Sequence, residues 1–176
     1  MSNTSTYEIW KTYPTGKIPG GTFCDCCARY NVRNSTTEAL IVNEHGEVLL
    51  IKRGQEPQKG WWGLPGGYVG WNETVEQAAK REAEEETGLV VKSVEFFGLY
   101  DDPKRDLDGR QNIGHCFIAQ VEGSLKKQDE EVEDIQWFSL DTLPEHIAFD
   151  HRTMIEDYKI LSAQSHSGSK KRGTHE

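Results

Sequence analysis

Three glutamates at helical spacing, Glu82, Glu85 and Glu86, are the residues in this sequence best placed to do chemistry. An α-helix turns about 100° per residue, so positions i, i+3 and i+4 share one face. Carboxylates on one face repel one another, and at about 4 Å each pair costs on the order of 1 to 4 kcal/mol, depending on the local dielectric. A hard divalent cation with oxygen ligands offsets that repulsion, so the pattern predicts a site for Mg²⁺ or Mn²⁺.

The same segment allows a second interpretation, because a charged run on a helix is usually a solvated face. The apolar positions separate the two interpretations. On a helical wheel with Glu82 at the origin, Ala78 and Ala79 fall within about 60° of it, so the glutamates extend the apolar stripe instead of opposing it. Arg81 can neutralise one carboxylate but not three. The pattern therefore favours an inward-facing acidic cluster that needs a cation.

Capping residues mark both ends of this helix. Asn72 can accept hydrogen bonds at the N-terminus, where Glu73 and Glu76 also lie near the positive end of the helix dipole. Gly88 stands where a left-handed C-terminal residue belongs. We therefore predict a helix of about four turns between Asn72 and Gly88.

The segment 66–89 resembles the Nudix box, G-x5-E-x7-R-E-U-x-E-E-x-G-U, in which U is an apolar residue. The positions that match this pattern are Gly67, Glu73, Arg81, Glu82, Glu85, Glu86, Gly88 and Leu89. Ala83 is the one soft departure, because a larger apolar residue usually fills its position. The flanking pattern extends the resemblance over residues 36–158.

The resemblance implies a metal-dependent hydrolase that cleaves the pyrophosphate bond of a nucleoside diphosphate derivative. It implies Mg²⁺ or Mn²⁺ as the cofactor, held by Glu82, Glu85 and Glu86 and by the backbone carbonyl of Gly67. Glu85 or Glu86 would also orient or deprotonate the attacking water. Glu73 and Arg81 are expected to pair with each other and to support the loop and the helix.

A further catalytic acid is expected after the box, because many Nudix enzymes place one in a later loop. The candidates here are Glu130, Glu131 and Glu133, and we favour Glu131. The alternative is that this charged run is only solvated.

The segment 101–110 bears on the substrate, because it resembles a stretch of certain ADP-ribose pyrophosphatases with the pattern D-P-x-R-D-x-x-G-H. The matching residues are Asp102, Pro103, Arg105, Asp106 and Gly109, whereas Arg110 replaces the histidine and His115 comes later. The resemblance favours an ADP-ribose-like substrate. Arg105 and Arg110 would contact its phosphate or ribose, unless they lie on a solvated loop.

Two alternatives to this function remain. The first is a pyrophosphohydrolase of nucleoside triphosphates, including oxidised ones. The second is a nucleotide-sensing Nudix domain without catalysis. Such sensors usually lose a carboxylate of the box, and none is missing here.

The composition constrains the partners. The net charge is −9, with 29 acidic and 20 basic residues, which disfavours non-specific binding to nucleic acid. No apolar run has the length of a membrane span, and the N-terminus has no signal-peptide core. We therefore expect a cytoplasmic protein whose partner is a small nucleotide, with no nucleic-acid or membrane partner.

The cysteines Cys24, Cys26, Cys27 and Cys116 leave two interpretations open. Cys24 and Cys27 form a C-x-x-C pair without a second pair at zinc-ribbon spacing. Reduced, unliganded thiols are expected in the cytoplasm, and the alternative is a zinc site that recruits Cys116, a histidine or an aspartate.

The remaining pattern gives the domain organisation. Strands are predicted at 36–42, 48–53, 90–100, 111–121 and 135–138, with a final helix at 150–163. Periodicity alone indicates mixed α and β structure, and the resemblance implies an α/β fold, a Nudix-type α/β/α sandwich with a mixed sheet. We predict a partly irregular extension (1–35), a Nudix domain (36–164) and a disordered polar tail (165–176). Trp10 and Tyr13 in the extension are candidates for a homodimer interface.

Overall fold

The computed structural model describes residues 32–107, 110–126 and 131–164 with their side chains, and residues 23–24, 29–30 and 165–169 by backbone alone. Several predictions fall outside the described residues. They concern Trp10, Tyr13, the thiols of Cys24, Cys26 and Cys27, and the positions of Gly109 and Glu130.

Within the described residues the chain forms nine strands and two helices. In chain order they are β1 (Phe23–Cys24), β2 (Arg29–Tyr30), β3 (Ser35–Ile41), β4 (Glu47–Arg53), β5 (Trp62–Gly63), β6 (Gly66–Tyr68), α1 (Val75–Thr87), β7 (Val90–Tyr100), β8 (Ile113–Glu122), β9 (Val132–Ser139) and α2 (His151–Ser169).

The strands form two main sheets and one small hairpin-like pair. The first sheet has the order β6-β3-β8-β7, in which β3 runs parallel to β8 and the other pairs are antiparallel. The second sheet has the order β5-β4-β9 and is antiparallel, while β1 pairs with β2. The predicted mixed sheet is therefore the first of these, and β4 belongs to a different sheet from β3.

The core has two parts because alternate residues of a strand point to opposite faces. On one face Leu40 and Leu50 pack with Met154 and Ile155 of α2. On the other face Ala83 of α1 belongs to a second cluster. Its other members are Ala39, Ile41, Leu49, Leu89 and Ala119. The two sheets thus lie between the two helices, which confirms the α/β/α sandwich.

The N-cap of helix α1 lies two residues after the cap predicted at Asn72. Its N-cap is Thr74, whose side chain accepts a hydrogen bond from the Gln77 backbone N–H, while the Gln77 side chain accepts one from the Thr74 N–H. This reciprocal capping box satisfies two backbone donors, which explains the later start. The C-terminal prediction is confirmed, since Gly88 is left-handed with φ of 72°.

Two other boundaries differ from the predictions by more than two residues. Strand β9 starts at Val132 because this segment pairs with β4 up to Arg53, so strand pairing overrides its charged composition. Helix α2 continues through Ser169, five residues into the predicted tail, because extending a formed helix adds one hydrogen bond per residue. None of the helices in the described residues has the length and apolar character needed to cross a membrane.

Candidate active site

The Gly66–Gly67 pair brings strand β6 against both β3 and helix α1. Gly66 pairs with Glu38 of β3 so closely that an added Cβ would collide with the backbone oxygen of Thr37. A Cβ on Gly67 would lie 2.6 Å from Oε1 of Glu82. Glycine is therefore required at position 66 for β6 to pair this closely with β3, whereas a side chain at position 67 would displace the Glu82 carboxylate.

The three glutamates of α1 differ in environment. Glu86 is 6% exposed, and its Oε2 accepts a hydrogen bond of 2.8 Å from the Gly66 N–H. The side chain of Glu82 is 17% exposed, whereas that of Glu85 is 54% exposed. The predicted inward orientation holds for Glu82 and Glu86, but Glu85 stands at the rim because its position lies furthest from the buried alanine stripe.

Arg81 contacts three carboxylates, of which Glu82 and Glu85 belong to the predicted acidic cluster, while its single positive charge neutralises only one of them. Its Nη2 and Nε donate to the two oxygens of Glu73 at 2.7 and 3.0 Å. Its Nη1 donates to Glu82 at 2.8 Å and to Glu85 at 3.0 Å. The flat guanidinium has five donors, which is why one side chain can serve all three partners.

These contacts shift the pKa values of the cluster. The hydrogen bonds to Glu73 raise the pKa of Arg81, and the same bonds lower the pKa of Glu73, which also accepts from the Gly70 N–H at 2.6 Å. Burial raises the pKa of Glu82, although Arg81 opposes this effect. The Glu73–Arg81 pair thus ties the loop before α1 to the helix.

The donor set of this acidic cluster fits a hard divalent cation. Among the described residues no three His, Cys, Asp or Glu side chains converge on one point, since Arg81 draws Glu82 and Glu85 towards itself. The single positive charge of Arg81 faces three carboxylates, those of Glu73, Glu82 and Glu85. These four groups therefore have a net charge of −2, and the carboxylate of Glu86 adds to it. The residues that would hold the ion are the Gly67 carbonyl, Glu82, Glu85 and Glu86.

A cavity of about 90 Å³ adjoins the acidic cluster and shares Gly66 and Gly67 with it. Ligand pockets for whole small molecules have volumes of roughly 300–1,000 Å³, so this cavity would accept one part of a substrate. The polar and charged side chains that line it include Glu38, Arg53, Tyr68, Arg110, Asn112 and His151.

Arg105, a predicted substrate contact, lines the cavity but is held by carboxylates. Its side chain is 2% exposed, its Nε and Nη2 donate to Asp150 at 3.1 and 2.8 Å, and Nη2 also donates to Glu38 at 3.2 Å. Burial acts to lower the pKa of Arg105, but these two carboxylates outweigh it and the pKa is raised. The guanidinium therefore serves the protein itself, which a loop motif could not reveal.

The rest of the 101–110 motif also builds the loop. Asp102 accepts from the Lys104 N–H at 2.8 Å, and buried Asp106 accepts from the Asn112 N–H at 2.5 Å. Arg110 is half-buried and donates to the Tyr68 hydroxyl at 2.8 Å on the cavity wall. Of the two arginines singled out in the sequence, Arg110 is the one placed to meet a ligand.

Arg53 is a site residue that the sequence analysis missed. It ends β4 on the cavity wall, donates from Nε to the Pro57 carbonyl at 2.9 Å, and lies 5.0 Å from the ring centroid of Phe149. Burial lowers its pKa, against the opposing charges of Glu86 and Glu131. A basic residue at the end of an otherwise buried strand was the available signal.

Glu131 lies on the same side of the molecule as the acidic cluster. It is exposed, directly precedes β9, and its carbonyl accepts from the Gly54 N–H at 2.6 Å. Its charge and that of Glu86 both act on Arg53. The alternative candidate Glu133 instead pairs with Lys52 at 3.2 Å.

Glu38 and His151 were also missed and form the floor of the cavity. The Leu64 N–H donates to Nδ1 of His151 at 2.9 Å, so the ring proton of the neutral imidazole is on Nε2, which lies 4.0 Å from Oε1 of Glu38. Burial raises the pKa of Glu38 to about 7 although Arg105 opposes it. A glutamate inside the buried strand TTEALIV was the signal in the sequence.

The buried imidazole predicts a specific acid sensitivity. Burial lowers the pKa of His151 from 6.5 to about 3. Between these values the unfolded chain binds a proton that the folded chain does not, so the free energy of unfolding decreases as the pH falls, by up to about 1.4 kcal/mol per pH unit. In His151→Asn, whose amide oxygen can replace Nδ1, urea unfolding between pH 6.5 and 4 should show a shallower decline than the wild type. The exposed control His45→Asn should keep the wild-type slope, and equal slopes in all three proteins would refute the assignment.

Comparison with known proteins defines the class of this protein. The NUDIX domain family matches residues 32–158, and the chain belongs to this family. It is a Nudix pyrophosphohydrolase, similar to an ADP-ribose pyrophosphatase of Methanocaldococcus jannaschii, with 42% identity over 118 residues that make up 67% of this chain and 69% of the relative. The NAD-capped RNA hydrolase NudC of Pseudomonas aeruginosa is 31% identical over 122 residues, which are 69% of this chain but only 42% of that protein.

Solved structures agree with this assignment. The MutT NUDIX hydrolase from Burkholderia pseudomallei has a TM-score of 0.65 and 33% identity, over 70% of this chain and 96% of that one. The NUDIX domain of Shewanella oneidensis NrtR, complexed with ADP ribose, has a TM-score of 0.66 and 24% identity, over 90% of this chain and 99% of that one. Because the identity to the NrtR domain is only 24%, that similarity shows a shared fold and no more.

Proposed function

We propose that this protein hydrolyses the pyrophosphate bond of an ADP-ribose-like nucleoside diphosphate derivative with Mg²⁺ or Mn²⁺ as cofactor. The observation that carries the proposal is the position of the acidic face of α1 beside a cavity walled by Arg53 and Arg110. One neighbourhood thus offers oxygen ligands for a cation and guanidinium groups for phosphates. The relative named ADP-ribose pyrophosphatase supports this substrate class.

We assign the roles in this reaction as follows. The ion, held by the Gly67 carbonyl, Glu82, Glu85 and Glu86, would supply charge neutralisation at the phosphates and activation of water. Glu85, exposed at the rim, or Glu86 orients the water or accepts its proton, with exposed Glu131 as the further candidate base.

The arginines divide into two groups in this proposal. Arg53 and Arg110 bind phosphate oxygens, for which the planar guanidinium is suited. Arg105 positions the cavity floor through Glu38 and Asp150. Arg81, with Glu73, fixes the angle between the β6 loop and α1.

We also propose a domain organisation, a cellular location, a partner and an assembly for this protein. The catalytic domain spans residues 36–164, residues 1–35 are an extension, and residues 165–176 are a polar tail that begins inside α2. We propose a cytoplasmic location, a small nucleotide as the partner, and a homodimer as the assembly to be tested.

A substrate panel tests the proposal. Purified protein with Mg²⁺, and separately with Mn²⁺, is given ADP-ribose, NADH and an oxidised deoxynucleoside triphosphate, and products are resolved by ion-exchange chromatography. We expect ADP-ribose to be cleaved with the highest kcat/KM. Faster cleavage of the triphosphate would retain the reaction class and reject the substrate. Saturable binding without turnover on the whole panel would favour a nucleotide sensor.

A further inference from the structure

Two buried acceptor atoms in the cavity have no hydrogen-bond partner among the described residues. They are Oε2 of Glu38 and Oδ1 of Asn112, and we call them the acceptor pair. Each residue is 4% exposed, and both line the cavity beside Gly66 and Gly67. Buried polar atoms in folded proteins are nearly always hydrogen-bonded, so two such atoms in one cavity require an explanation.

The orientation of Glu38 is fixed by its other oxygen. Oε1 accepts from the Thr36 hydroxyl at 3.0 Å and from Nη2 of Arg105 at 3.2 Å. Because both donors act on Oε1, Oε2 is left for the cavity that Glu38 lines. The backbone of Asn112 is equally fixed, since its N–H donates to Asp106 and its carbonyl accepts from Arg33 at 3.2 Å.

We propose that Glu38 and Asn112 determine specificity by accepting hydrogen bonds from donor groups on the nucleoside part of the substrate. The inference rests on the proposed function and adds to it the residues that would read the organic part of the substrate. The donors on a nucleoside are sugar hydroxyls and the exocyclic amine of the base. The cavity volume of about 90 Å³ suits one such unit, and the shared glycines place that unit next to the acidic cluster that is proposed to hold the ion.

The variant Glu38→Gln separates the two donor sources. Its amide oxygen must remain with the donors on Thr36 and Arg105, so its NH₂ group would face the cavity where Oε2 stood. An amine on the ligand would then meet another donor, whereas a hydroxyl can accept as well as donate. Loss of affinity should therefore be severe for an amine contact and mild for a hydroxyl contact.

The experiment measures binding, so that turnover does not enter. The α,β-methylene analogue of ADP-ribose is titrated calorimetrically in the presence of Mg²⁺ at pH 8, where the Glu38 carboxyl, whose pKa is about 7, is mostly ionised and accepts. Its inosine counterpart and its deoxyribose counterparts are titrated in the same way. A site built to bind a donor group discriminates strongly against an analogue that lacks it. We expect the wild type to bind the parent analogue at least about 10-fold more tightly than one of these counterparts.

The same titrations on three variants test the residues. In Asn112→Ala the affinity ratio between the parent and the discriminated counterpart should fall towards one. In Glu38→Gln it should fall towards one if the contact is an amine, and only in part if the contact is a hydroxyl. Glu95→Gln, an exposed glutamate on β7, should keep the wild-type ratio. Thermal unfolding establishes that each variant is folded, and Asn112→Ala leaves the contacts of Arg105 intact if Glu38→Gln fails to fold.

The outcomes distinguish this inference from the proposed function. Loss of discrimination against the inosine analogue identifies the amine as the donor, and loss against a deoxy analogue identifies the hydroxyl. The inference is overturned if the wild type binds all analogues with equal affinity, or if the affinity ratios are unchanged in both variants. Water would then satisfy the acceptor pair. This conclusion holds even if hydrolysis is observed. Discrimination without hydrolysis of any panel substrate supports the acceptor pair and rejects the proposed reaction.

Discussion

Glu86→Gln should lower kcat by about 100- to 10,000-fold while the protein remains folded. The carboxylate of Glu86 is buried, and its Oε2 accepts from the Gly66 N–H at 2.8 Å, a bond that an amide oxygen can keep. The substitution removes one negative charge from the proposed cation ligands. A bound cation supplies several kcal/mol of charge stabilisation in the transition state, and each 1.36 kcal/mol corresponds to about tenfold in rate.

Glu84→Gln is the matched control for this prediction. Glu84 lies on the same helix, is exposed, and accepts from the Val91 N–H at 2.9 Å, which glutamine can also do. Its kcat should stay within about twofold of the wild type, since surface changes away from special features have small effects. Initial rates at saturating Mg²⁺ with circular dichroism spectra of all three proteins make the comparison. A folded Glu86→Gln protein with wild-type turnover would eliminate Glu86 from the site.

Arg105→Met should lower the free energy of unfolding by about 3–5 kcal/mol at pH 8, because removing one partner of a buried ion pair leaves an uncompensated buried charge. Arg105 and Glu38 have side chains 2% and 5% exposed, and the guanidinium is also bound to Asp150. Methionine has a similar length without the charge. The loss measured by urea unfolding should therefore greatly exceed that of an ordinary surface substitution.

The pH dependence of this loss identifies the carboxylate responsible. The pKa of Glu38 is raised to about 7 by burial even though Arg105 opposes the shift. Without Arg105 the pKa rises further, so at pH 6 the variant holds a neutral acid and its deficit should be smaller than at pH 8. Lys104→Met, at the exposed neighbouring position, should stay within about 0.5 kcal/mol of the wild type at both pH values. An Arg105→Met protein of unchanged stability but raised KM would restore Arg105 as a direct substrate contact.

Local patterns in the sequence were sufficient to predict the helix that carries the site. The spacing of Glu82 and Glu86 relative to Ala78 and Ala79 gives their shared face, and the left-handed position of Gly88 fixes where the helix ends. Strand β7 was predicted with the bounds that the structure has, Val90–Tyr100. These features depend on residues within a few turns of one another, which a sequence pattern records directly.

Contacts between distant segments could not be predicted in this way. Glu38 and Arg105 are 67 residues apart, and Leu64 and His151 are 87 apart. The short strands β5 and β6 arise in a loop rich in glycine and proline because β4 and β3 provide edges for them to pair with. The side-chain direction of Arg81 is likewise set by three partners at once, which a helical wheel treats one at a time.

The most direct test of the account is hydrolysis of ADP-ribose in ¹⁸O-labelled water with Mg²⁺, followed by mass spectrometry of the products. We predict AMP and ribose 5-phosphate, with a single ¹⁸O atom in one of the two monophosphates and no reaction after chelation of the metal. Release of ADP through cleavage of the sugar bond, or product formation that persists undiminished in the chelator, would contradict a metal-dependent attack of water on the pyrophosphate.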